Sequence, residues 1–129
     1  MKKMNDIDKR AFDFACRILK MDLALSRNRR VNRRAMNQLV DAAMSIGANL
    51  EEARGAQSKA DFHAKVRISL KEARESHYWL RLLAGSDALP PKRVTPLIQE
   101  ANEIVAILTT IAKKTNPRNP PKPPDSPSS

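Results

Sequence analysis

Arg27, Arg29, Arg30, Arg33 and Arg34 crowd one stretch of a chain that has no acidic residue between Asp22 and Asp41. A guanidinium is planar, always charged, and presents a fork of N–H donors that matches two phosphate oxygens, so arginines gathered in this way suit polyphosphate recognition. The plainer alternative is a solvated basic loop. The whole chain shares the bias. Lys and Arg number 24 against 14 Asp and Glu, giving a formal net charge of +10, well beyond what solubility of a small domain requires. Nucleic acid, RNA or DNA, is therefore the expected partner. Little base specificity is expected, because Phe12, Phe14 and Phe62 are assigned to the core and only Tyr78 and Trp79 remain for stacking.

Other reactive side chains form no site. Glu72 and Glu75 lie one helical turn apart on a face shared with Ile68 and Trp79. Acid/base chemistry is conceivable there, and pairing with arginines of a neighbouring helix or subunit is the competing reading. A di-metal carboxylate centre needs Glu-x-x-His pairs, whereas Ala60 and Arg74 precede His63 and His77 by three residues. Gly47, Gly55 and Gly85 belong to no phosphate-cradling loop. Cys16 has no partner for a disulfide and falls beside an apolar stripe. No enzymatic activity, metal or cofactor is expected.

The elements that must carry these residues are helices. Ile7, Ala11, Phe14, Ile18, Met21 and Leu25 recur at steps of four and three, as do Met36, Leu39, Ala43, Ile46, Leu50 and Ala53. Phe62, Val66, Ala73, Leu80 and Leu83 form a third stripe, and Leu97, Ala101, Ile104, Leu108 and Ile111 a fourth. Asn5 or Asp6 is the expected first cap, and Ser58 with Asp61 reads as a capping box. Gly55 suits a left-handed helix end. Thr95 and Pro96 as cap and first residue of the last helix are preferred to a start at Pro91, which would put Pro96 near the limit of the turn where a missing N–H is harmless.

The expected helices run about 6–27, 31–54, 59–85 and 96–115, an all-α, antiparallel up-down-up-down four-helix bundle over 1–115. The short link from Gly55 to Ser58 makes the middle helices a hairpin. Gly47, in mid-helix, suggests close approach of another backbone. Ala42, Ser45 and Asn49 form a small, weakly polar stripe, either a packing surface between subunits or a thin solvent-facing edge. From residue 116 to 129 six positions are proline, which predicts a disordered or polyproline-like tail. Lys2 and Lys3 are followed by Asn5, Asp6 and Asp8 rather than an apolar run. The expectation is a cytoplasmic protein with no membrane partner.

Ser45 to Glu52, then Phe62, Ile68 to Glu75 and Tyr78 to Leu83, resemble the four-helix bundle protein family over positions 36–84. That family includes proteins encoded in intervening sequences of bacterial large-subunit ribosomal RNA genes. Trp79-Leu80-Arg81 with Leu83-Ala84-Gly85 is also similar to the accessory protein of diversity-generating retroelements. The resemblance implies a basic, barrel-shaped homopentamer, with Ser45, Gly47, Asn49, Glu72, Glu75 and Trp79 as structural or interface positions. It also implies nucleic acid, and a reverse transcriptase or similar enzyme, as partners. Ala53 departs from the pattern, standing where the family has Gly.

Overall fold

The computed structural model of the chain describes residues 2–86 and 89–118, with side chains from Asp6 onward. The tail expected beyond Asn116 lies outside them except for 116–118, where Asn116 Oδ1 accepts the Arg118 N–H at 3.0 Å. Four helices make up the fold: α1 (Lys2–Ala24), α2 (Arg33–Arg54), α3 (Lys59–Gly85) and α4 (Pro91–Thr115). Consecutive helices pack antiparallel, and α1 also meets α4, closing the bundle.

All the residues of the first, second and fourth stripes are buried. Each large aliphatic among them contributes about 1.5–3 kcal/mol of transfer free energy. The third stripe is fuller than expected. Ser69 and Ser76 are fully buried between Val66, Ala73, Leu80 and Leu83, while Phe62 is only half-buried. Ser69 Oγ donates to the Ile46 carbonyl of α2 at 2.9 Å, and Ser76 Oγ to the Glu72 carbonyl in its own helix at 2.9 Å. Small hydroxylated residues can occupy a core when the backbone itself satisfies them.

Several boundaries differ from expectation for physical reasons. α1 begins at Lys2, since the exposed Asp6 can lie within a helix, and it ends at Ala24 rather than 27. Asn28 Oδ1 accepts the Arg30 N–H at 2.9 Å and Asn32 Oδ1 caps α2 on the Ala35 N–H at 3.0 Å, so local Asx bonds hold the connection out of helix. Buried Val31 and Met36 have the spacing of a hydrophobic staple across that cap. Ser58 Oγ accepts the Asp61 N–H at 3.0 Å, but Asp61 reaches back to the N–H of Gln57, not to the cap residue. α4 starts at Pro91 with Pro96 inside it. Buried Val94 extends the stripe one step before Leu97 and holds the earlier start in place.

Two glycine expectations fail. Gly55 has φ −93°, a right-handed conformation open to any L-residue. At Gly47 an added Cβ would meet the Ala11 Cβ at 3.8 Å, an ordinary side-chain contact with no close backbone approach. Phe12, assigned to the core, is 69% exposed; it stands next to Ala11 but off the four-three register.

Ion pairs tie the early turns of α1 to both neighbours. Arg10 grips Glu100 of α4 through Nε at 3.0 Å and Nη2 at 2.6 Å. Arg54 Nε of α2 lies 2.9 Å from Asp8 Oδ2. Burial pushes the Asp8 carboxyl up, against the pull of Arg54 and with a smaller push from Glu51. The folded state thus holds its proton more tightly than the unfolded chain. That share of stability is fully present below the unfolded carboxylate range and is lost as pH rises through the folded value.

Gly47→Ala should stabilise the fold by about 1 kcal/mol through helix propensity, raising Tm by ~4 °C. Thermal unfolding followed by circular dichroism measures it, and a lower Tm would mean that α1 and α2 are closer than the 3.8 Å spacing implies.

Candidate nucleic-acid interface

The α1–α2 connection and the start of α2 bring the five arginines to one end of the bundle. All five are exposed. Arg33 pairs with Asp22 through Nη1 and Oδ1, whereas Arg27, Arg29, Arg30 and Arg34 make no side-chain hydrogen bond or ion pair with the described residues. Arg33 and Arg34 are the first two residues of α2. Cations in a first turn oppose the helix dipole, at about 0.3–1 kcal/mol each. The Asp22 carboxylate offsets this cost for Arg33, whereas Arg34 bears it without an ion-pair partner among the described residues.

The antiparallel topology delivers to the same end cations that are remote in sequence. Lys92 and Arg93 lie in the first turn of α4, which contains no acid. With Arg17 and Lys20 of α1 they line a groove of about 350 Å³ that also touches Met21, Pro96 and Leu97. Among the described residues from 17 to 38 and from 79 to 97, Asp22 is the one carboxylate. The opposite end is mixed, with Asp6, Asp8, Glu51, Glu52 and Asp61 among Lys9, Arg10, Arg54 and Lys59. Sequence reading misses Arg17, Lys20, Lys92 and Arg93 because only the fold brings them together.

A second groove, of about 650 Å³, opens between α2 and α3 at the basic end. Asn32, Arg34, Ala35 and Gln38 line one side, and Trp79, Leu82, Leu83 and Ser86 the other. Trp79 is half-buried and meets the ring of Tyr78 edge-on, centroids 5.1 Å apart.

Farther along the α2–α3 seam are Glu72 and Glu75, half-buried and outside every ion pair among the described residues. Burial chiefly, then the charge and hydrogen bond of Glu75, and more weakly Asp41, raise the Glu72 carboxyl above its usual range, with Lys71 opposing. Two carboxylates competing for one proton are acid/base chemistry in outline, yet neither histidine joins them. His63 Nδ1 is 3.3 Å from Thr115 Oγ1 of α4. His77 is held below its usual range by burial and then by Arg81. Among the described residues no group of three or more His, Cys, Asp or Glu side chains is placed to hold a metal ion.

The remaining expected positions divide. Ser45 and Asn49 are linked on one edge of α2, Asn49 Nδ2 donating to the Ser45 carbonyl at 2.8 Å. Gly47 faces α1 instead. Buried Ala42 belongs to the packed interior. Among the described residues no helix is long and apolar enough to cross a membrane.

Comparison with known proteins agrees with this architecture. A crystal structure of a protein of unknown function from the S23 ribosomal protein family of Bacteroides thetaiotaomicron VPI-5482 matches with a TM-score of 0.81 and 34% identity, over 87% of this chain and 99% of that one. No curated protein matches. The family model described as 23S rRNA-intervening sequence protein matches residues 3–110, well beyond positions 36–84 and into all four helices. On that match the chain belongs to the 23S rRNA-intervening sequence protein family.

Proposed function

We propose that the protein is a basic homo-oligomer, a pentamer by resemblance to related bundles, that binds the backbone of RNA or DNA with little sequence specificity. The observation that carries this reading is the set of Arg27, Arg29, Arg30 and Arg34 at one end, outside every ion pair among the described residues, with Arg34 standing in a first turn that disfavours cations. Such groups bind phosphate by displacing condensed counterions, which requires no base contact.

Self-association draws support from a second surface. Phe12, Leu19 and Leu23 follow one another along an outward edge of α1 at 69%, 44% and 77% exposure, with Met44 exposed on the adjoining α2. A contiguous apolar edge on a highly charged protein is the signature of a protein contact. An adaptor role toward a nucleic-acid enzyme such as a reverse transcriptase is the second reading, favoured by exposed Ile68, Tyr78 and Leu82 on α3.

Three outcomes test the proposal. The Arg29→Ser, Arg30→Ser, Arg33→Ser, Arg34→Ser variant should lose retention of RNA and DNA at low salt with helical content unchanged. The slope of log K against log salt should become shallower by about 0.9 for each duplex phosphate that is no longer neutralised; unchanged binding excludes the cluster. The Lys92→Glu, Arg93→Glu pair should move two properties in opposite directions, raising stability by about 0.5 kcal/mol per residue while weakening binding. A variant that binds as tightly as the parent removes α4 from the interface. Finally, Phe12→Ser with Leu23→Ser should reduce the sedimenting mass to that of one chain, and a parent protein that already sediments as a monomer refutes the oligomer.

A further inference from the structure

We infer that the groove between α2 and α3 at the basic end is a receptor for a single unpaired nucleobase, so that the protein prefers single-stranded to duplex nucleic acid. This rests on the nucleic-acid reading and goes beyond its backbone contacts.

The groove has the chemistry that a base requires. Its α3 wall is apolar and partly aromatic: the Trp79 indole, the buried Leu83 and Leu82, which is left 45% exposed. Its α2 wall is polar and unused. Neither the Gln38 amide nor the Arg34 guanidinium makes a side-chain hydrogen bond with the described residues, and the Trp79 N–H is likewise unengaged. Asn32 spends its Oδ1 on the helix cap and keeps its amide N–H groups. A volume of about 650 Å³ falls in the range of small-molecule sites. A flat heterocycle with hydrogen-bonding edges fits such a mixture, its face on the indole and leucines and its edge toward the amides.

Charge selects the ligand and orients it. No carboxylate among the described residues lines the groove, and Arg34 is followed back along the chain by Arg33 and Arg30 of the α1–α2 side. Toward the middle of the seam lie Glu72 and Glu75, with Asp41 close enough to act on Glu72, and this acidic stretch repels a phosphate there. A strand whose base occupies the groove therefore places its phosphate at Arg34 and leaves across the loop arginines. An acidic peptide would satisfy Arg34 but would leave the indole face and the amide edge without matching groups.

Trp79 is the chain's one tryptophan, so its fluorescence reports on the groove directly. The full-length protein is titrated with an oligonucleotide of about 12 residues, a length near common single-strand site sizes, in ribose and deoxyribose forms. The same strand annealed to its complement and an abasic strand of equal length and charge are the comparators. The single strand should quench Trp79 and bind about tenfold tighter than the abasic strand, the usual worth of one stacked base. The duplex should bind without quenching. Leu82→Glu, at an exposed position that leaves the core intact, should bring single-strand affinity down to the abasic level while leaving duplex affinity within about twofold, a single added surface charge being a small change on a ligand held through several phosphates. Equal affinity for normal and abasic strands, or quenching by none of the ligands that bind, overturns the base receptor and leaves the backbone reading standing. Quenching that depends on protein concentration alone also overturns it, by identifying a second copy as the occupant. Binding of none of the ligands refutes the nucleic-acid reading itself.

Discussion

The spacing of α2 and α3 is the constraint from which the useful geometry follows. Ala42 on one helix and Ser69, Ala73 and Ser76 on the other are buried and small, so the two backbones can come near enough for the Ser69 hydroxyl to reach the Ile46 carbonyl. A larger residue at Ser69 would open the seam and orphan that contact, and overpacking of this kind commonly costs about 1–3 kcal/mol. The same approach, carried along the hairpin, sets Trp79 and Leu82 opposite Arg34 and Gln38. The groove is thus a by-product of tight packing lower down.

Fold and surface pursue different ends in this molecule. The interior obeys local rules closely: caps at Asn32 and Ser58, heptad-like stripes, and core hydroxyls bonded to backbone. The basic end breaks them, with Arg34, Lys92 and Arg93 in first turns where the helix dipole favours acids, while Arg33 beside them is offset by Asp22. Departures from local consistency without a packing gain are expected where a protein meets a ligand. That asymmetry argues for the arginines more strongly than their number does, because a merely soluble surface has no reason to choose those positions.

Much of the architecture can be read from the order of residues, because burial imposes a period on apolar side chains that survives without knowledge of the neighbours. Stripes through Phe14, Leu39 and Ile104 are visible for that reason. Ser69 and Ser76 are not, since their polarity hides core positions that only a nearby carbonyl makes tolerable. Of the two starts that the sequence offers for α4, Pro91 and Pro96, the second is preferred because Thr95-Pro96 resembles a cap and helix start, while the buried apolar side chains before it, Leu89 and Val94, are too few to show a period. Phe12 illustrates the converse error: residue type assigns it to the core although its register points outward. The α1–α4 groove is beyond reach, as nothing local relates Arg17 to Arg93.

Gathering cations at one tip gives the molecule an electrical polarity along the bundle axis. Copies lying side by side in the same direction bring these tips together and repel over the ~8 Å screening length of physiological salt; copies in opposite directions do not. A polyanion draped over the tips would relieve the strain of the parallel arrangement alone. Subunit orientation and ligand occupancy would then be thermodynamically linked, each favouring the other by the same free energy.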